Sequence, residues 1–244
     1  MKKVRLKALA IIIACAAGHL PAQAVPPTSE DPAAILESAV LFSASASLSL
    51  SMRMEIREKG GLKEREILIR TQSDAKGERT LVIVRSPAFL SKLAFLRVKE
   101  GGSPMQWLRS SSGVKRLGGG SEGIRLFDSH FSPSDLIDPA SQASGALLME
   151  APSAGILRLR AKGESGDMIL DIDEASRLIL SISYLDGKGR ETKRYRVLER
   201  DGASGRPSAM LMEDSASGGS TTLRVLSLEE GARFPASLFS PGSL

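Results

Sequence analysis

Between Ser47 and Arg57 the chain alternates without a break. Leu48, Leu50, Met52, Met54 and Ile56 fall on one side, and Ser47, Ser49, Ser51, Arg53, Glu55 and Arg57 fall on the other. A pleated strand sends successive side chains to opposite faces, so a period of two produces one apolar face and one polar face. A helix would scatter the same apolar residues around its axis. One long strand with a continuous apolar face must border a hydrophobic interior, which commits the chain to a sheet with one buried side.

The rhythm continues to the end of the chain. Lys59-Gly60-Gly61 turns the first strand, and Arg65 to Arg70 returns. Arg79 to Arg85 is apolar on both faces from Leu81 to Val84. Leu93 to Lys99, Met105 to Arg109 and Val114 to Leu117 follow, then Ala146 to Met149, Ile156 to Ala161 and Asp167 to Asp173. Leu178 to Tyr184, Lys193 to Leu198, Ala209 to Glu213 and Thr221 to Leu228 complete the set, with turns at Asp186-Gly187, Asp201-Gly202 and Gly218-Gly219. Roughly a dozen strands at this spacing predict a sandwich or a barrel. Parallel pairing needs long crossovers, and nearly all of these connections are short, so the sheet should be mostly antiparallel. No linker divides residues 47–244, which read as one β domain. Ahead of it, residues 25–46 form a Pro-rich lead-in and one short amphipathic helix, with Ile35, Leu36, Ala39 and Val40 at helical spacing through Phe42.

Residues 1–24 read as an export signal. Met1 to Lys7 is basic, Ala8 to Gly18 is apolar but too short to span a bilayer, and Ala22-Gln23-Ala24 is an A-x-A cleavage site. The expectation is cleavage after Ala24 and a periplasmic product. The alternative is lipidation at Cys15, which follows Ile12-Ile13-Ala14 in a lipobox-like run and would anchor the chain to a membrane. Cys15 is the only cysteine, so neither a disulfide nor a thiolate metal site is expected.

The formal charge of +5 would suggest a nucleic-acid partner, but Lys2, Lys3, Arg5 and Lys7 supply four of those charges. The rest of the chain carries 29 basic against 28 acidic residues. Without a basic face, and with aromatics at only 4%, neither phosphate tracking nor base stacking is supplied. No nucleic acid is expected as partner.

Four groups of residues look chemical. Asp128-Ser129-His130 holds the residue types of a hydrolase triad, but triads bring distant segments together, so a loop hydrogen-bonding role fits better. Asp171 and Asp173 suggest calcium, yet the loop has Ser176 where an EF-hand needs its glycine. Gly118-Gly119-Gly120-Ser121 lacks the Lys-Ser/Thr ending of a phosphate loop and reads as a hairpin tip. No catalytic residue, metal or cofactor is expected. Met52, Met54, Met168, Met210 and Met212 lie within strands; they are either ordinary core or the adaptable lining of an apolar cavity.

From Arg85 to Leu136 the chain resembles the LolA-like family of outer-membrane lipoprotein-sorting proteins. The residues that carry the likeness are Arg85, Pro87, Ala94-Phe95-Leu96, Trp107-Leu108, Val114-Lys115-Arg116 and Phe131-Ser132-Pro133-Ser134-Asp135-Leu136. Leu93, Arg109-Ser110-Ser111 and Asp128-Ser129-His130 depart from the family pattern, which makes this a divergent member. The resemblance implies a mainly β fold, an incomplete antiparallel β-barrel of about 11–12 strands with a short helical lid over an apolar cavity. It also implies carriage of lipoprotein acyl chains or lipid through the periplasm, between membrane-bound donor and acceptor proteins.

On that basis Leu48, Leu50, Met52, Met54 and Ile56 are expected to form one cavity wall, faced by Leu93, Phe95 and Met168, with Trp107 beside it. Phe127, Phe131 and Leu136 are expected to belong to a movable flap. Three classes stay open: a carrier, a cell-envelope scaffold whose barrel is filled by its own side chains, and an enzyme. The lack of a convergent acid, base and nucleophile argues against the last.

Overall fold

The computed structural model describes residues 30–118, 124–137, 139–163 and 166–244. The expected export signal with Cys15, and most of the Gly118–Ser121 tip, lie outside the described residues.

Among the described residues thirteen strands form one sheet, one or two more than expected. They are β1 (Ser47–Glu58), β2 (Gly61–Asp74), β3 (Gly77–Ser86), β4 (Ala94–Lys99), β5 (Met105–Ser110), β6 (Gly113–Leu117), β7 (Ser144–Met149), β8 (Ile156–Lys162), β9 (Asp167–Asp173), β10 (Ile179–Leu185), β11 (Glu191–Arg200), β12 (Pro207–Asp214) and β13 (Gly219–Glu230). The spatial order is β6-β5-β4-β3-β2-β1-β13-β12-β11-β10-β9-β8-β7. Each half is therefore a meander, and β1 joins them by pairing antiparallel with both β2 and β13. All the strand pairs are antiparallel, as short hairpin connections require. β6 and β7 remain as edges, so the sheet wraps without closing.

The alternation in β1 survives intact. Leu50, Met52, Met54 and Ile56 are fully buried and join one large apolar cluster. The same parity runs through the neighbours: Ile67 and Ile69 from β2, Val82 and Val84 from β3, Phe95 from β4, Leu223 from β13, Met210 and Met212 from β12. This cluster lies on the inner face. A smaller cluster covers part of the outer face, where Leu81, Leu96 and Val98 pack with Phe239, beside Trp107 and Phe234. That explains the two apolar faces of β3, since the last residues of the chain fold back over it. Arg70 stacks on the Phe234 ring there, 5.6 Å from its centroid.

The first helix, α1 (Pro32–Ser38), is shorter than the spacing predicts. Asp31 caps it, its carboxylate accepting from the Ala33 N–H at 3.0 Å, and Pro32 opens its first turn. It stops because Ala39 turns extended and Val40 bridges to Leu178. α1 packs on β7, beside one sheet edge. Gly77 fits where no other residue could: its φ is +139° and a Cβ would stand 1.9 Å from the Lys99 carbonyl oxygen.

Candidate functional site

The segment from Ile124 to Ala143 links the two meanders across the inner face. It contains a 3-10 turn at Leu126–Asp128, α2 (Pro133–Ile137) and a second 3-10 turn at Pro139–Gln142. Phe127, Phe131, Leu136 and Ala140 are buried in the same cluster as the inward strand residues. Phe131 stands edge-on to Tyr195 of β11, with ring centroids 6.5 Å apart. The flap therefore covers the interior with its own apolar side chains.

Short polar contacts hold it down. At the β1–β2 end, the Arg125 guanidinium donates to Glu58 Oε1 at 2.9 Å, to the Ser129 carbonyl at 2.8 Å and to His130 Nε2 at 2.9 Å. Because arginine only donates, Nε2 must accept and the imidazole is neutral. Nδ1 lies 2.8 Å from Thr221 Oγ1, which also accepts the His130 backbone N–H at 3.0 Å. Burial, then the Arg125 charge, holds the His130 pKa below its ordinary value. Arg65 donates to Asp128 at 3.1 Å.

Ser132 and Asp135 then form a reciprocal cap at the start of α2. The Ser132 N–H donates to Asp135 Oδ2 at 2.6 Å, and the Asp135 N–H to Ser132 Oγ at 3.2 Å. The buried Asp135 also accepts from the Tyr184 hydroxyl at 2.6 Å and pairs with Lys193. Burial, then Asp135, pushes the Tyr184 phenol up. The backbone between these ties is bent. Phe127 and Asp128 are both left-handed, at φ +52° and +59°, a region a bulky aromatic seldom enters.

The structure gathers most of the sequence-predicted residues. Leu48, Leu50, Met52, Met54, Ile56, Phe95 and Met168 are buried in the inner cluster, and half-buried Leu93 packs against it. Trp107 is the correction. It pairs with Leu96 across β4 and β5, so it faces outwards while Phe95 and Leu108 face in. The Asp128-Ser129-His130 side chains turn to three different partners: Arg65, the Phe131 backbone, and Thr221 with Arg125. Asp171 takes Arg158 through two hydrogen bonds, and Asp173 binds the Ser176 turn and Arg200.

Sequence reasoning missed Arg65, Arg125, Thr221, Tyr184, Lys193 and Tyr195. One signal was present: Arg65 holds the same parity on β2 as Ile67 and Ile69. At the opposite end of the interior, a cleft of about 270 Å³ lies between the α1 segment and the sheet. Leu48, Leu50, Ile69 and Leu136 line it, with Thr80 and Arg97 also on its wall.

An unclosed antiparallel barrel around an apolar interior, covered by an inserted flap, is a LolA-like fold. Three crystal structures share it. A DUF1329 family protein from Desulfovibrio piger superposes with a TM-score of 0.75 at 19% identity, covering 88% of this chain and 100% of that one. A Vibrio parahaemolyticus domain assigned to outer membrane lipoprotein sorting gives 0.72 at 17%, covering 86% and 94%. The LolA superfamily protein NE2245 from Nitrosomonas europaea gives 0.69 at 18%, covering 87% and 99%. A comparison with curated proteins finds no match. A family model described as "Uncharacterized protein"-like matches residues 76–244, and the chain belongs to that family.

Proposed function

We propose that the protein is an exported, non-catalytic carrier. It shelters a lipoprotein acyl chain or lipid against the inner face of the barrel, between a membrane-bound donor and a membrane-bound acceptor. One observation carries this reading: a continuous apolar interior is covered by a separate segment whose Phe127, Phe131 and Leu136 occupy it. Such a cover can be exchanged for a ligand without dismantling the sheet. The similar fold of the Vibrio parahaemolyticus domain, described as one for outer membrane lipoprotein sorting, supports the same reading.

The magnitudes suit reversible carriage. Burying a 16-carbon chain gains at most about 12 kcal/mol at about 0.8 per methylene. Displacing three large apolar flap side chains costs roughly 5–9 kcal/mol at about 1.5–3 each. Ordering the ligand lowers the balance further. The remainder, about 3–7 kcal/mol before that ordering, is small enough for release.

A second reading is favoured by the packing itself. The flap fills the interior, and the cleft of about 270 Å³ falls below the roughly 300–1,000 Å³ of ordinary ligand pockets. A cell-envelope scaffold with a filled barrel would look the same. Mass spectrometry of organic extracts from protein purified without detergent separates the two. The carrier reading expects co-purified acyl lipid near one per chain. No lipid, together with no binding of an added acyl probe, would leave the scaffold.

A further inference from the structure

Arg65 is out of keeping with its surroundings. It lies opposite Met54 in the β1–β2 register, on the inward parity, and is only 6% exposed. Its Nη2 donates to Asp128, but its Nε and Nη1 are buried with no hydrogen-bond partner among the described residues. Buried guanidinium groups are almost always fully bonded, because an unmet donor costs more than an exposed one. Its one partner is poorly suited to hold it. The Asp128 side chain is 74% exposed and sits on the left-handed turn of the flap, so water competes for the carboxylate and flap movement withdraws it. A second buried donor faces the same interior from the other half of the sheet: the Tyr195 hydroxyl, also without a partner among the described residues, beneath Phe131.

We propose that Arg65 is the head-group receptor of the acyl site, and that the preferred ligand is an acyl chain whose head bears an oxyanion, carboxylate or phosphate. The inference rests on the carrier reading. When the flap lifts, Asp128 leaves with it, and Nε and Nη2 become one free edge able to grip two oxygens of an anionic head. The acyl tail then runs from Met54 along the inward face of β1, where the flap's aromatic rings now lie. Asp128 acts as a stand-in for the ligand head in the closed state, so ligand and flap compete for one cation.

The test is a binding titration of the purified protein with two probes of equal chain length, palmitate and hexadecanol, at mildly alkaline pH where the carboxylate is ionised. Hexadecyl phosphate serves as a third probe and separates the two anionic heads. Wild type should prefer palmitate over hexadecanol by at least about tenfold, the least that a charged hydrogen bond contributes. Arg65→Met should erase that preference while retaining hexadecanol binding, and Arg65→Lys should keep part of it. Asp128→Asn, on an exposed side chain, weakens the closed state that either probe must displace, so it should tighten palmitate and hexadecanol by the same factor. Equal binding of both probes by wild type, a palmitate preference that survives Arg65→Met, or an Asp128→Asn variant that binds neither probe more tightly would overturn the head-group assignment and leave the carrier reading standing. Failure of wild type to bind any probe would overturn both.

Discussion

Arg125 and His130 meet through a 2.9 Å hydrogen bond in which a permanent cation donates to a neutral imidazole. Protonating Nε2 would place two positive charges against each other in a buried site. Asp214 and Glu58 favour the charged ring, while burial, Arg125 and Lys193 oppose it, and the opposition prevails. The folded pKa therefore lies below the ordinary 6.5. Between those two values the unfolded chain binds more protons than the folded one, so stability rises with pH. The contribution is complete above about pH 6.5 and is lost as pH falls through the folded value. Urea midpoints measured from neutral to mildly acidic pH should fall more steeply for wild type than for His130→Gln. Parallel curves would remove the imidazole from the account.

Gly219 sets the space for that ring. A Cβ there would lie 2.4 Å from His130 Nε2 and 3.0 Å from the Arg57 carbonyl oxygen. The ring cannot step aside without breaking its contacts to Arg125 and Thr221. Gly219→Ala should cost about 1–3 kcal/mol, the range of an overpacked site. It should also expose the flap to limited proteolysis. A variant with an unchanged melting curve and digestion pattern would mean that the latch is looser than drawn.

Asp135 is the opposite anchor. Alanine there would strand the Tyr184 hydroxyl and the Lys193 ammonium and remove the α2 cap together. Breaking a buried pair costs about 3–5 kcal/mol. Lys193 keeps some exposure, which places Asp135→Ala near the lower end. Asp135→Asn keeps one acceptor oxygen for the Ser132 N–H, and its amide can donate to the Tyr184 hydroxyl oxygen, so it should cost less. Denaturant unfolding of both variants checks the order, and a larger loss for asparagine would contradict it.

Much of the fold was legible because local pattern decided it. The alternation in β1 dictated its inward and outward faces, and Gly-containing turns dictated hairpins. What the pattern lacked was partners. The outward placement of Trp107 depends on Leu96 opposite it and on Phe234 and Phe239, whose segment has no periodicity. The early end of α1 depends on a bridge between Val40 and Leu178. The flap latch joins His130 to Thr221, 91 residues apart. Arg65 could have been suspected, since a cation at an apolar parity breaks the pattern, but the unmet donors belong to three-dimensional packing alone.

The central claim is that the inner face of β1 holds an acyl chain. The most direct measurement is a titration with a fluorescent fatty acid across Leu50→Arg, Met52→Arg, Ser49→Arg and Ser51→Arg, with thermal melts reporting the fold. Leu50 and Met52 are fully buried inwards, whereas Ser49 and Ser51 are half-buried on the outer face. An unpaired charge in the interior should abolish binding, and the same charge outside should leave it nearly unchanged. Equal weakening from both faces in folded proteins, or no binding by wild type, would contradict the account.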